Sequence, residues 1–552
     1  MMKTLEGFAP YPPEFIARYR EAGYWEDRSM ADFFAEVCQR FAPRIVLVAG
    51  DERITYGELD ARAERLALHL LKLGLRPGDR FVLQLPNVPE FVYFYLALQK
   101  AGIMPVMALP PHRYTEISHF VKLSEAVGYA LPERLGNFEF AAMAERIRSE
   151  NPHLRWVFVL GDTIFPESIS IRHLLQTESG LPKERLAHIE IDPLLPALFL
   201  LSGGTTGVPK LIPRTHNDYI YNSKAAAAIN DIHPDDALLL VLPMAHNFPL
   251  ACPGMQGFLM HGARCVLSTS TQAQDVFSLI EREKITHLEL VPTLLIRLLN
   301  DPLLKEYDLS SVRIVNTGGQ KLQPEVKRRT EALIPSCKVQ EVFGMAEGLL
   351  NYVRLDDPDE LRYETVGRPV SPGDELRLID DEGNEVPEGA TGELLVRGPY
   401  TLRGYFRAPE HNAKAFTPDG FYKTGDLLRR HPSGNYIVEG RKKDLINRGG
   451  EKISAEEIEN LMLAHPAILN AACVPMPDPM LGERVCAFVI LRPGMTLMLE
   501  ELTGFLLAKG IAKFKLPERL EVVDDFPMSK FGKVAKNVLT QQVTEKLAQA
   551  QV

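Results

Sequence analysis

The sequence predicts an α/β protein. It reads as a large N-terminal domain with mixed and parallel sheets flanked by helices, a small β-rich subdomain, and a small α+β C-terminal domain. Three observations lead there. Apolar runs of strand length alternate with longer segments of helical spacing as far as about Phe343, the pattern of parallel strands joined by helical crossovers. From about Glu375 the segments turn short and alternating, joined by turns such as Asp381-Glu382-Gly383-Asn384. At 552 residues the chain exceeds what one core fills, so several units follow.

The elements follow in order. A helix is predicted over 29–41, then a hairpin of 45–48 and 54–56 with Asp51-Glu52 in its turn. Apolar residues at helical spacing cover 56–73, and Gly74 suits the C-cap. A strand at 81–85, a helix at 89–101 and a strand at 103–108 come next. The run Ala197-Leu198-Phe199-Leu200-Leu201 reads as a buried strand. A helix over 218–230 is favoured by the alanines at 225–228. Strands at 237–242, 263–267, 287–291, 313–317 and 339–343 are interleaved with helices at 274–283 and 292–300. Four strand ends, after Leu201, Leu242, Thr317 and Phe343, thus deliver polar or glycine-rich loops. Ligands of open α/β sheets bind outside the carboxyl ends of strands, so one ligand touching all four loops is the economical reading. The β-rich part contains strands at 375–379 and 392–396, and the tail a helix at 455–463.

Composition narrows the class. The net charge of -10 argues against general nucleic-acid binding. From Arg441 onward 15 Lys/Arg face 14 Asp/Glu, leaving the body near -11 and a near-neutral tail that suits an acidic partner. Cys38, Cys252, Cys265, Cys337, Cys473 and Cys486 show no paired spacing, which fits reduced thiols and a cytoplasmic location. The N-terminus lacks the apolar core of a signal peptide, and no run approaches the ~20 apolar residues of a membrane span.

The stretch Ser202-Gly203-Gly204-Thr205-Thr206-Gly207-Val208-Pro209-Lys210 stands out. Small residues let backbone approach a ligand, and exposed N–H groups, two Thr hydroxyls and a Lys make a phosphate cradle. It fails the common P-loop pattern, because Val208-Pro209 separates Gly207 from Lys210 and Leu211 follows. Taken alone, a flexible Gly/Thr turn is an equal reading.

Four more motifs follow it in order: Gly344-Met345-Ala346-Glu347, Tyr422-Lys423-Thr424-Gly425-Asp426, the stretch from Gly440 to Glu451 around Asn447-Arg448-Gly449-Gly450, and a terminal Gly532-Lys533. Together the five resemble the adenylate-forming superfamily of acyl- and aryl-CoA ligases, luciferases and nonribosomal-peptide adenylation domains, over nearly the whole chain. The resemblance implies a domain of 1–440, with its β-rich subdomain at about 370–440, and a mobile C-terminal domain of 441–552 that rotates about a hinge near Lys443. It implies ATP and Mg²⁺, with attack of a carboxylate on the α-phosphate. The opening loop from Ser202 to Lys210 would hold phosphates and Glu347 would hold Mg²⁺, a hard cation that takes carboxylate oxygen. Asp426 and Arg441 would hold the ribose. Phe343, Gly318 and Gly319 would form the adenine slot, continued by Gly344, Met345 and Ala346. Lys533 would stabilise charge developing between carboxylate and α-phosphate, and Gly449 and Gly450 would line a tunnel for the incoming thiol.

His246-Asn247-Phe248-Pro249-Leu250 and the segment around Gly344–Leu349 resemble the stand-alone aryl acid adenylating enzymes of siderophore assembly. His246 is implied in catalysis and at the acid. Asn247 stands where peptide-type domains place an Asp, and its amide can donate to a carboxylate or accept from a phenol. Phe248 is implied at the acid. Relatives that use 2,3-dihydroxybenzoate carry Ser and Val where this chain has Cys252 and Leu350, so the pair resembles the salicylate type. The expected thiol is the phosphopantetheine arm of an aryl carrier protein. The alternatives are 2,3-dihydroxybenzoate as the acid, or coenzyme A as the acceptor. A non-enzymatic scaffold and a simple P-loop ATPase are the remaining readings.

Overall fold

The computed structural model describes residues 5–162, 165–202, 209–449, 451–529 and 533–549. Two large sheets face each other across a shared helical layer. The nine-stranded sheet has a parallel centre: Lys338–Gly344, Ile314–Gly318, His287–Leu290, Ala237–Leu240, Arg264–Leu267 and Ile45–Ala49, with antiparallel strands at both edges. The seven-stranded sheet is parallel except for one antiparallel edge strand, Leu211–Thr215, beside Pro196–Leu201. Their common core takes in the helices Met30–Arg40, Tyr56–Lys72 and Pro89–Lys100. Pro89–Lys100 is buried from Phe91 to Gln99 without a break. Its sequence PEFVYFYLALQK is apolar nearly all round, as a helix clamped on both sides must be.

Local chemistry sets the ends. Thr55 and Glu58 form a capping box for Tyr56–Lys72, and Thr215 and Asp218 form one for His216–Ala227. Glu375–Ile379, Thr391–Arg397, Tyr422–Arg430 and Tyr436–Arg441 form the antiparallel β-rich part. The smaller C-terminal domain is a five-stranded sheet covered by Ala455–Met462 and Lys536–Gln549, with apolar clusters of its own. Among the described residues no helix is long and apolar enough to cross a membrane.

Several elements were not read from the sequence, among them Tyr114–Ser124, Gly128–Pro132 and Leu211–Thr215. Leu211–Thr215 is a strand that pairs antiparallel with Pro196–Leu201, so the strands on either side of the glycine-rich stretch are neighbours in the sheet. Pro213 sits within it, which the sheet tolerates because the strand lies at the edge. The four loops therefore come from both sheets. Those after Ala237–Leu240, Ile314–Gly318 and Lys338–Gly344 leave one edge of the nine-stranded sheet, and the fourth leaves the other sheet.

Gly348 fixes the last of these loops. Its φ is +137°, and a β-carbon there would stand 2.3 Å from the Tyr400 carbonyl oxygen. Gly348→Ala should destabilise the large domain by more than about 2 kcal/mol, since backbone strain and steric overlap add. Thermal and urea unfolding of the variant check this; an unchanged midpoint would contradict it.

Candidate active site

One half of the candidate site starts at the short helix Asn247–Ala251, which follows the loop leaving Ala237–Leu240. His246 is its N-cap, and its Nδ1 accepts from the Phe248 N–H at 3.2 Å. Asn247 is buried and held at both ends of its amide: Oδ1 accepts from the Tyr219 hydroxyl at 2.9 Å, and Nδ2 donates to Cys252 Sγ at 3.2 Å. Phe248, Cys252 and Leu350 share one buried cluster with Val342, Tyr352 and Tyr400. The Tyr352 hydroxyl donates to the Cys252 carbonyl. Leu350 presses on Gly344, where a β-carbon would meet its Cδ2 at 2.5 Å. Burial pushes the Cys252 thiol up to about 12, so it stays protonated.

The other half of the candidate site lies on the next strands. Gly318 leaves no room for a side chain, since a β-carbon would stand 2.5 Å from Val342 Cγ1. Phe343 is half-buried against the main core, together with Met345 and Ala346. Glu347 Oε1 accepts from the Tyr405 hydroxyl at 2.7 Å, and Tyr405 lies 2.9 Å from the Tyr422 hydroxyl. Burial raises the Glu347 carboxyl above the usual range, against the Tyr405 hydrogen bond and the Arg441 charge. Asp426 and Arg441 are register partners on adjacent strands, and Arg441 Nε donates to Asp426 Oδ1 at 2.7 Å. That carboxylate holds the Arg441 guanidinium more firmly protonated.

The glycine-rich hairpin is closed at its base. Ser202 N–H donates to the Lys210 carbonyl at 3.0 Å, and Lys210 N–H donates to Ser202 Oγ at 2.9 Å. Lys210 Nζ lies over the Tyr405 ring, 5.6 Å from its centroid, so the hairpin reaches the Glu347 group. Gly203, Gly204, Thr205, Thr206 and Gly207 lie outside the described residues, as do Gly450 and the Lys443 side chain. Lys443 falls within a single short turn, Lys442–Asp444, directly after Arg441. Gly449 is exposed, and its N–H donates to the Leu481 carbonyl at 2.7 Å.

Lys533 comes to this site from the C-terminal domain. A methyl group on Gly319 would lie 3.6 Å from Lys533 Cε, and Gly319 itself adopts φ +87°. The Lys533 charge also reaches His246. Burial first and that charge second push the His246 imidazolium down to about 4, so the ring is neutral near pH 7. The structure therefore brings His246, Gly319 and Lys533 together, with Asn247, Cys252 and Leu350 beside His246 and Glu347, Asp426 and Arg441 forming a separate charged group. Two tyrosines that the sequence reading missed, Tyr219 and Tyr405, orient Asn247 and Glu347. Neither carries a spacing signal; each reaches its partner across the fold.

Residues 34–406 match the AMP-binding enzyme family, and residues 457–533 match the AMP-binding enzyme C-terminal domain. The chain belongs to the AMP-binding enzyme family. It is 46% identical over 546 residues to a Streptomyces sp protein named salicylyl-CoA synthase / salicylate adenylyltransferase, covering 98% of this chain and 99% of that one. It is 44% identical over 543 residues to the 2,3-dihydroxybenzoate-AMP ligase of Bacillus subtilis, covering 98% and 99%. It is 43% identical over 545 residues to the salicyl-AMP ligase / salicyl-S-ArCP synthetase of Mycobacterium tuberculosis, covering 98% and 95%. Within the family it stands among the adenylate-forming, aryl acid adenylating enzymes.

Folding lowers the proton affinity of His246, so its contribution to stability is whole above about pH 6.5 and is lost as pH falls towards 4. In Lys533→Ala the His246 ring should titrate at higher pH than in the parent. It should still titrate below 6.5, because burial is the larger cause and remains. An NMR pH titration of the histidines checks this; an unmoved His246 would separate the two residues.

Proposed function

We propose that the protein activates salicylate and passes it to the phosphopantetheine thiol of an aryl carrier protein in siderophore assembly. A salicylate carboxylate oxygen attacks the α-phosphorus of ATP, the bond to the bridging oxygen of pyrophosphate breaks, and salicyl-adenylate forms. The thiol then adds to the acyl carbon as thiolate, its proton passing to solvent, and AMP leaves. The assignment of salicylate is carried by the closed wall that Cys252 and Leu350 make with Phe248, Val342 and Tyr352 beside Asn247. A 3-hydroxyl on the ring would meet a weak thiol partner and a leucine, at a cost of about 1–3 kcal/mol. The relative named for 2,3-dihydroxybenzoate is nearly as similar as those named for salicylate, so the wall and not overall identity supports the choice.

This chain's residues divide the work. Lys533 neutralises charge between the carboxylate and the α-phosphate, an electrostatic role. Neutral His246 orients the acid beside it. Asp426 and Arg441 hold the ribose, Phe343 with Gly318 and Gly319 takes the adenine, and the hairpin ending at Lys210 holds the departing pyrophosphate. Among the described residues no group of three His, Cys, Asp or Glu could hold a metal alone. Glu347, a buried carboxyl that a cation would favour in its charged form, would hold Mg²⁺, which needs only one or two protein carboxylates beside nucleotide phosphates. When bound it supplies charge neutralisation at the phosphates. For the second step the C-terminal domain turns about Lys443, and Gly449 and Gly450 line the path of the thiol. The Streptomyces relative's name makes coenzyme A the competing acceptor.

Salicylate should drive ATP–pyrophosphate exchange, and Lys533→Ala should lower it by about 100-fold or more, the scale of losing one charge-stabilising group. Equal exchange with 2,3-dihydroxybenzoate would overturn the choice of acid. The pair Cys252→Ser and Leu350→Val should shift kcat/KM towards 2,3-dihydroxybenzoate by roughly 10- to 100-fold relative to salicylate. Thioester formation with a carrier protein, and little with coenzyme A, is the expected result when both are offered after adenylation.

A further inference from the structure

Arg214 heads the fully buried side chains by size, and none of the chemistry above uses it. It lies on the edge strand Leu211–Thr215, just past the glycine-rich hairpin. Its Nε donates to Asp218 Oδ1 at 2.8 Å, and the two side chains are 0% and 2% exposed. The other two guanidinium nitrogens point in different directions. Nη1 donates to the Ala346 carbonyl at 3.0 Å, one residue before Glu347. Nη2 donates to Asn222 Oδ1 at 3.2 Å, and Asn222 Nδ2 donates to the Ala251 carbonyl at 2.8 Å. The guanidinium also covers the Tyr219 ring, 4.8 Å from its centroid, and the Tyr219 hydroxyl is the group that holds Asn247 Oδ1.

We propose that Arg214 is a positioning residue that ties the aryl acid pocket to the nucleotide loop. One cation fixes the Ala346 carbonyl on one side. On the other, through Asn222 and Tyr219, it fixes both ends of the Asn247–Ala251 turn. A buried guanidinium is tolerable only when its donors are satisfied, and here each bond runs to a segment that touches the site. The planar fork can hold three directions at once; an ammonium in the same place cannot keep that geometry. Packing alone explains neither the charge nor the choice of these three partners. Aryl acid adenylation underlies this assignment, whichever acid is used.

The test uses Arg214→Lys, Asn222→Ala and Tyr219→Phe. The last two leave the Arg214–Asp218 pair in place and so stay readable if Arg214→Lys folds poorly. Binding of the aryl acid and of a non-hydrolysable ATP analogue is measured separately by calorimetry, beside KM and kcat in ATP–pyrophosphate exchange. Asn222→Ala and Tyr219→Phe should each weaken acid binding by about tenfold, the effect of one buried hydrogen bond, with nucleotide binding within about twofold of the parent. Arg214→Lys should weaken both ligands and lower kcat. Calorimetric stoichiometry separates lost folded protein from lost affinity. A fall in melting temperature with unchanged dissociation constants in Asn222→Ala and Tyr219→Phe would reduce the network to a structural one and overturn the assignment. Since binding is read without turnover, a parent that binds aryl acid but does not exchange with salicylate refutes only the proposed substrate.

Discussion

The site depends on carrying one positive charge across a domain boundary. The body of the protein is strongly acidic, while the chemistry gathers a carboxylate and a triphosphate. Lys533 belongs to a small domain with its own apolar clusters, none of which includes a residue of the large sheets. What joins the two is polar. Arg492 donates to Asn300 Oδ1 at 3.2 Å, Ser454 Oγ donates to the Glu439 carbonyl at 2.6 Å, and Gln323 reaches Asn460. Interfaces of this kind permit relative motion because little apolar area is lost when they part.

The electrostatics around that lysine are arranged to leave its charge effective. The Lys533 charge reaches His246, and burial together with that charge keeps the ring neutral near pH 7, so the two do not present competing cations. Asp426, almost wholly buried, is matched by Arg441 on the neighbouring strand. Glu347 takes a hydroxyl from Tyr405 instead of a fixed cation. That leaves a carboxyl raised by burial, whose charged form a nearby cation would favour.

Much of this was legible in the chain. Strand and helix periodicity located nearly every element of the large parallel sheet to within a few residues, because both faces are covered and the apolar runs are long. The motifs located the loops because glycine and proline mark tight backbone independently of tertiary context. The strand Leu211–Thr215 escaped for the opposite reason. Its apolar content is broken by Pro213 and Arg214, and only the partner strand and the buried Asp218 make sense of them. Tyr219, Tyr405 and Arg214 share that obscurity. Their roles are set by partners 28, 58 and 132 positions away in sequence, and no local pattern encodes such pairings.

Asn247 shows how these distant residues bear on specificity. An amide has two N–H donors and two carbonyl lone pairs. Tyr219 takes one lone pair and Cys252 one N–H, which leaves one of each for an aryl acid. The amide is thereby turned into a fixed donor–acceptor pair. Reversal would leave the amide oxygen to the Cys252 S–H, a weak donor, so the observed orientation is the favoured one. Cys252 then acts twice: its sulfur accepts from the Asn247 amide, and its side chain forms the wall with Leu350. A serine at that position would strengthen the first contact and open the second. On the proposed reading, acid choice is therefore set by the amide's orientation together with the wall, and both trace back through Tyr219 and Asn222 to the same buried arginine.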